Sequence, residues 1–147
     1  MKYIVGRCMK RPGLIDRART YYLEFNDKGL YIIAIGPAGQ KPHFPRKTLV
    51  NEAAQALVKG LVQKMEEKME LEILDNEQRI ANGQLALLAM EKKSYVVPSN
   101  EIKLFQSKRE GELIKIVVKS AIVSITLFAS EGYLEEVLAM ETAIGKR

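Results

Sequence analysis

Hydrophobic and polar residues near the start of the chain follow the two-residue period of β-strands. Residues 2–9, KYIVGRCM, mix apolar and β-branched side chains, and Pro12 and Gly13 then break the pattern. Residues 20–35, TYYLEFNDKGLYIIAI, predict a hairpin, because Gly29 in the turn supplies the positive φ that such a loop needs. The returning arm, residues 30–35, is apolar at nearly every position, which is typical of a strand covered on both faces or placed at an interface. The pattern predicts three strands in this part of the chain.

The central block of the chain changes to apolar spacings of three and four. Residues 37–47 contain three prolines and form a connector, because proline removes backbone donors and fixes φ. Thr48 is a suitable N-cap, and the apolar residues after it, with a polar stripe opposite them, predict an amphipathic helix of about 20–25 residues. Residues 75–83, DNEQRIANG, are expected to interrupt this helical pattern. Residues 84–93 then predict a second, short helix.

Two-residue periodicity returns after the second helix. Four segments are rich in β-branched and aromatic residues and are predicted strands: residues 95–97, 102–106, 113–119 and 122–128. Pro98 ends the first of them, and Ile102 and Leu104 are expected to return to the core after the corner. Lys115 lies on the parity opposite to its apolar neighbours, which indicates one buried and one partly wet face. Residues 130–145 predict a terminal amphipathic helix.

These elements predict a single α+β domain that spans residues 1–147. Strands joined by tight turns and followed by one amphipathic helix favour a strongly bent antiparallel sheet or open barrel of about seven strands. The C-terminal helix is expected to cap one open end of the barrel. Residues 37–91 are a helical insertion between the third and fourth strands.

Four segments carry a resemblance to a known family. The segments are YYLEFNDKGLYIIAIG, SYVVPSNEIKLFQ, ELIKIVVKSAIVSITLF and SEGYLEEVLAMETAI. Their order of turns and apolar runs resembles bacterial pleckstrin-homology-like (PH-like) proteins of unknown function, with the helical insertion standing between them. The resemblance implies the barrel and its capping helix, and it implies no catalytic residue. Lipid-binding members carry a phosphate-binding cluster of basic residues between the first two strands. This sequence departs from that pattern, because Lys10, Arg11, Arg17 and Arg19 approximate the cluster only loosely.

The net charge of +5 is concentrated at the start of the chain. Residues 1–47 hold ten Lys and Arg against three acids, whereas residues 48–147 hold thirteen against fifteen. A basic N-terminal third can attract phosphates or an anionic surface. The alternative is that these side chains are solvated residues of strand edges, where charge prevents aggregation.

The residue types that carry most enzyme chemistry are scarce in the sequence. His43 is the single histidine and lies in the proline-rich connector, and Cys8 is the single cysteine. Neither belongs to a spacing that binds zinc, and no nucleophile with its base is recognisable, so we expect no catalytic, metal or cofactor site. Cys8 is expected to be a buried small hydrophobic residue. One cysteine and no apolar segment of about 20 residues favour a cytoplasmic location.

The helical insertion is the feature that bears most on function. Its apolar stripe contains small residues, which let another helix approach closely. The candidate interface consists of Ala53, Leu57, Gly60 and Leu61. We therefore expect a non-enzymatic binding or scaffolding module that forms a homo-oligomer or binds a protein partner through the inserted helices. The alternative for the same segment is that both helices fold back onto their own barrel.

Two other classes of ligand fit parts of the pattern. Anionic lipid headgroups would be recognised by the basic residues Lys10, Arg11, Arg17 and Arg19. Nucleic acid could stack its bases on Tyr3, Tyr21 and Tyr22. The acidic helices interrupt any continuous basic track, so nucleic acid is the less favoured partner.

Overall fold

The computed structural model describes residues 2–13, 18–37 and 52–145, without the side chains of residues 52–62. The described residues form seven strands and three α-helices. The strands are β1 (Tyr3–Lys10), β2 (Arg19–Asn26), β3 (Gly29–Pro37), β4 (Tyr95–Val97), β5 (Ile102–Glu110), β6 (Leu113–Ser120) and β7 (Ser124–Ser130). The helices are α1 (Glu52–Ala81), α2 (Leu85–Leu88) and α3 (Leu134–Gly145).

The strands form one antiparallel sheet in the order β4-β3-β2-β1-β7-β6-β5. Within the described residues, β4 and β5 each pair on one side only, so the sheet is not closed. The α+β class, the open antiparallel sheet, the C-terminal helix and the helical insertion between the third and fourth strands are therefore confirmed. The corner after β4 is a 3-10 turn at Ser99–Glu101, as the proline-containing sequence predicts.

The two halves of the sheet meet at β1 and β7. Their register is set by one pair, Met9 with Phe128. β1 also carries a bulge between Val5 and Cys8, where its register against β2 shifts. A bulge bends its strand and increases the local twist, so the sheet curves at this junction.

The inner face of the sheet holds the larger of two hydrophobic cores. Its fully buried side chains include Val5, Tyr21, Leu23, Leu30, Ile32, Ile114, Ile116 and Leu127. Helix α3 covers this core with Val137, Met140 and Ile144. The helix contacts β1, the central strand of the sheet, and β5, the strand at one edge.

The outer face of the sheet holds a second core beneath the inserted helices. It contains Tyr22, Tyr31, Ile33, Ile35, Ile73 and Leu88. β3 contributes to both cores, because Leu30 and Ile32 face inward whereas Ile33 and Ile35 face the inserted helices. This arrangement confirms the prediction that a strand apolar at nearly every position is covered on both faces.

Gly29 is required at the start of β3. Its φ is +129°, and a Cβ at this position would lie 2.3 Å from the carbonyl oxygen of Val97. Both the backbone conformation and the close approach of β4 exclude a larger residue. The predicted β2–β3 turn is therefore confirmed, and its glycine also lets β4 dock.

The predicted interruption of the long helix at residues 75–83 is wrong over most of its length, because α1 continues to Ala81. Asn76 donates its Nδ2–H to the carbonyl oxygen of Ile35 at 2.7 Å, and Ile80 packs against the outer core. Glu77, Gln78, Arg79 and Ala81 favour a helix by themselves, and these contacts with the sheet add to that preference. The helix stops at Asn82 and Gly83, where φ is +83°. The predicted N-cap, Thr48, lies outside the described residues.

Two smaller predictions also need correction. The second inserted helix covers only Leu85–Leu88, and the lysines expected in its last turn lie in the turn that follows it. Leu104 is only partly buried, because a bulge between Ile102 and Leu104 shifts the register of β5. Phe105 occupies the core position instead.

A side chain from α3 covers part of the free edge of β5. The Ser107 amide donates to Glu141 Oε1 at 3.2 Å, and Ser107 Oγ donates to Glu141 Oε2 at 2.6 Å. An amide satisfied by a carboxylate is closed to pairing with a strand of another chain. This contact fastens the C-terminal helix to the last strand of the sheet.

The contact between α1 and β3 leads to a stability prediction. A Cβ on Gly36 would lie 2.6 Å from Ile73 Cγ1. We expect Gly36→Ala to lower the free energy of unfolding by about 1–3 kcal/mol through overpacking, and Ile73→Ala by about 2–5 kcal/mol through the cavity. Ile73→Ala removes the atoms with which the new Cβ would clash. The double variant should therefore lose about 1 kcal/mol less free energy of unfolding than the two single variants lose together.

Urea denaturation of the four proteins measures these free energies. Gly13→Ala is the control, because a Cβ there meets nothing within 4 Å. It should change the stability by less than about 0.5 kcal/mol. Strict additivity of Gly36→Ala and Ile73→Ala would contradict the packing of α1 on this strand.

Candidate functional site

The contact between α1 and the sheet is fixed by an arginine in the β1 bulge. Arg7 donates to both carboxylate oxygens of Glu77, from Nε at 3.0 Å and from Nη2 at 2.7 Å. Nη2 also lies 3.0 Å from Glu70 Oε1, two helical turns before Glu77. The hydrogen bonds to Glu77, and then the contacts with Glu70, raise the pKa of Arg7. The guanidinium therefore stays charged and holds two turns of the helix against β1.

A cavity of about 430 Å³ opens beside this arginine, between α1 and the strands β1 and β7. Its walls are formed mainly by Met9, Met69, Ile73, Leu113, Phe128 and Tyr133. Its polar groups include Arg7, Glu66 and Glu70. The cavity is therefore mainly apolar, with charged groups contributed by α1 and by the β1 bulge.

The inserted helices also carry exposed apolar side chains. Five of the eight exposed large hydrophobic residues in the described part of the chain lie on this insertion: Met65, Leu71, Leu74, Leu87 and Met90. Leu71 is 65% exposed and Met90 is 83% exposed. Since Ile73 faces the sheet, Leu71 and Leu74 lie on the side of α1 that faces solvent. We call Leu71, Leu74, Leu87 and Met90 the exposed insertion surface.

The predicted interface residues Ala53, Leu57, Gly60 and Leu61 all belong to α1. Their side chains lie outside the described residues. From Glu66 onward the same helix packs on its own sheet, so the fold-back alternative holds for its C-terminal half.

The structure brings two of the four predicted anion-binding residues together. Lys10 and Arg19 are directly opposite each other in the β1–β2 register. Arg11 follows Lys10 and stacks on Phe128, with its guanidinium 3.9 Å from the ring centroid. Arg17 lies outside the described residues. The two side chains therefore place positive charge at the same end of the β1–β2 pair.

A buried carboxylate lies on the outer face of β2. Glu24 is 6% exposed and accepts hydrogen bonds from Tyr22 Oη and Asn26 Nδ2, both at 2.7 Å. Burial, together with the hydrogen bond to Glu24, raises the pKa of Tyr22. Both carboxylate oxygens have a donor, so the group serves as a polar link within the second core.

Cys8 is a core residue, as predicted. It is 1% exposed, and its Sγ–H donates to the carbonyl oxygen of Tyr21 at 3.4 Å. Burial raises the pKa of the Cys8 thiol. The sulfur is therefore protonated and shielded, which removes its nucleophilicity in the native protein.

Two further properties of the described residues concern metal binding and membrane spanning. No group of three or more histidine, cysteine, aspartate or glutamate side chains in these ranges has the arrangement to hold a metal ion. None of the helices in the described part of the chain combines the length and the apolar character needed to cross a bilayer.

Sequence reasoning missed the Arg7 contacts and the buried Glu24. Arg7 and Glu77 are separated by 70 positions, and a lone arginine in an apolar strand gives no sign of its partner. The spacing of Glu70 and Glu77 by seven positions, on one side of a helix, was the available signal. For Glu24 the signal was the apolar outer face of the neighbouring β3.

Comparison with protein-family models, with curated proteins and with solved structures found no match to this chain. The PH-like resemblance therefore stays a prediction from the sequence. Its implications for function rest on the geometry of the helical insertion and of the basic residues.

The shielded thiol predicts how stability depends on pH. The native protein keeps the Cys8 proton at pH values where the unfolded chain, with a cysteine pKa of about 8.5, has lost it. The unfolded state then binds fewer protons, so the free energy of unfolding falls as the pH rises above about 8.5, by at most about 1.4 kcal/mol per pH unit. Cys8→Ala should make this decline shallower.

Urea denaturation of both proteins between pH 7 and pH 9.5 measures the slopes. Ionisation of tyrosines in the unfolded chain is common to both proteins, so the difference between the two slopes reports Cys8. A thiol reagent provides the control, since it should label Cys8 in urea and leave the native protein unlabelled. If the free energy of unfolding falls with pH equally steeply in the wild type and in Cys8→Ala, the Cys8 thiol does not contribute to the pH dependence of stability.

Proposed function

We propose that this chain is a non-enzymatic, PH-like binding module that acts in the cytoplasm and self-associates through its helical insertion. The observation that carries the proposal is the exposed insertion surface. Leu71, Leu87 and Met90 are each more than half exposed, although they lie within a few turns of fully buried residues. Isolated exposed hydrophobic residues are ordinary on protein surfaces, whereas several of them on one insertion support a binding surface.

The packing of α1 keeps this surface in place. Arg7 and Ile73 hold one side of the helix against the sheet, so Leu71 and Leu74 cannot rotate into the core. The helix has 30 residues and is about 45 Å long, which gives a long, straight contact face. A rigid element that presents apolar side chains loses little entropy on association.

A second copy of the chain suits the charges around these leucines. Lys68 precedes Leu71 and Asp75 follows Leu74, and both charged side chains are exposed. Two copies of α1 packed antiparallel around Leu71 would place Lys68 of each near Asp75 of the other. Such a pairing uses the same patch twice, as a two-fold symmetric dimer requires.

Sedimentation velocity over a range of protein concentrations tests the self-association. Leu74→Glu should shift the protein toward monomer and raise the dimer dissociation constant about tenfold or more, because two charges would be buried at the interface. Leu138→Glu on α3 is the matched control, since Leu74 is 49% exposed and Leu138 is 47% exposed. Leu57→Glu extends the test to the predicted residues of the N-terminal half of α1.

The control variant should associate like the wild type, and circular dichroism should show that all variants are folded. A wild-type protein that stays monomeric at the highest concentration would overturn the proposal. Equal effects of Leu74→Glu and Leu138→Glu would also overturn it.

A second candidate function is recognition of anionic lipid headgroups by the basic N-terminal third. The specific observation is the Lys10–Arg19 pair, which places two cations side by side at the end of the β1–β2 hairpin. Arg11 lies next in the chain, and its guanidinium is held against Phe128. The predicted contribution of Arg17 remains part of this hypothesis.

Liposome sedimentation tests this second function, with vesicles of neutral lipid and vesicles that also contain acidic lipid. We expect pelleting only with acidic lipid, and a decrease of pelleting as salt is added, because the attraction is electrostatic. The double variant Lys10→Gln/Arg19→Gln should pellet several-fold less. Lys103→Gln/Lys108→Gln on β5 removes the same charge and should pellet like the wild type; equal losses in the two variants would contradict a specific site.

A further inference from the structure

The cavity between α1 and the sheet lies away from the exposed insertion surface. Its volume of about 430 Å³ falls within the range of about 300–1,000 Å³ that is usual for small-molecule sites. Side chains of Met9, Met69 and Phe128 make its walls mainly apolar. Methionine is a flexible residue that adapts to the shape of an apolar ligand.

The cavity follows from the way the sheet is joined. β1 and β7 share a single registered pair, Met9 with Phe128, and β1 is bulged at Arg7 in its pairing with β2. Tyr133 packs over the backbone at Gly6, where its hydroxyl would lie 3.3 Å from an added Cβ. The strands, this tyrosine and α1 therefore enclose a space that no core side chain fills.

The charged groups at the cavity do not balance one another. Arg7 is occupied by Glu77 and Glu70. Glu66, one helical turn before Glu70, also lines the cavity. Within the described residues, Glu66 has no hydrogen bond and no ion pair, so one carboxylate on the cavity wall is available to a ligand.

We propose that this cavity binds a small molecule with an apolar body and one cationic amine. The body lies on Met9, Met69 and Phe128, and the ammonium group pairs with Glu66. The ring of Tyr133 offers the same cation a second favourable contact. An apolar carboxylate of the same size would be repelled, because its charge would meet Glu66 and Glu70.

Nuclear magnetic resonance of the full chain tests this proposal with octylamine as the probe. Titration should produce saturable shifts of backbone amides that line the cavity, such as those of Thr20, Met69 and Phe128. Octanoate, which has the same chain length and the opposite charge, should produce none. Glu66→Gln should raise the dissociation constant for octylamine about fivefold, and Glu135→Gln on α3 should leave it unchanged.

Equal binding of octanoate, shifts that map outside the cavity, or an unchanged affinity in Glu66→Gln would each overturn the proposal. The variant Leu74→Glu separates this site from the self-association surface. It should bind octylamine like the wild type, since Leu74 is not among the residues that line the cavity. Loss of octylamine binding in that variant would show that the cavity depends on association.

Discussion

The packing of Ile73 from α1 against Gly36 of β3 is the contact on which the rest of the structure depends. The outer face of β3 presents Ile33 and Ile35, which water would otherwise cover at a large cost in free energy. Only a glycine at position 36 lets the helix come close enough to exclude that water. The insertion is therefore a structural layer of the domain, and the sheet is covered on both sides.

The same contact decides which side of the insertion is available for binding. Once Ile73 and the Arg7–Glu77 ion pair hold one side of α1, the leucines on the opposite side must face solvent. The curvature at the junction of β1 and β7 leaves a cavity beneath the helix. The packing of α1 on the sheet thus produces two surfaces of different chemistry. One is the apolar face of the helix that is exposed to solvent. The other is the apolar cavity between the helix and the sheet, where Glu66 has no partner within the described residues.

The sequence predicts the fold well wherever burial follows a local period. The uniform apolar run of residues 30–35 predicted a strand covered on both faces. The alternation of apolar and polar residues in 113–119 predicted a strand with one partly solvent-exposed face. Prediction from the sequence fails where contacts with residues distant in the chain determine the local structure. Residues 75–81 include four good helix formers, and contacts of Asn76 and Ile80 with the sheet further stabilise the helix there. Similarly, the partners of Arg7 lie 63 and 70 positions away, beyond the reach of any local pattern.

The layered arrangement of α1 on the sheet depends most directly on the proximity of Ile73 and Gly36, which nuclear magnetic resonance of a methyl-labelled protein can observe. A Cβ on Gly36 would lie 3.6 Å from Ile73 Cδ1, so the δ1 methyl group and the Gly36 Hα protons should give a strong nuclear Overhauser effect. The same methyl group should show contacts to the outer core. An Ile73 methyl group with no contact to β3, in a protein whose strands are otherwise intact, would contradict the proposed layer and both surfaces derived from it.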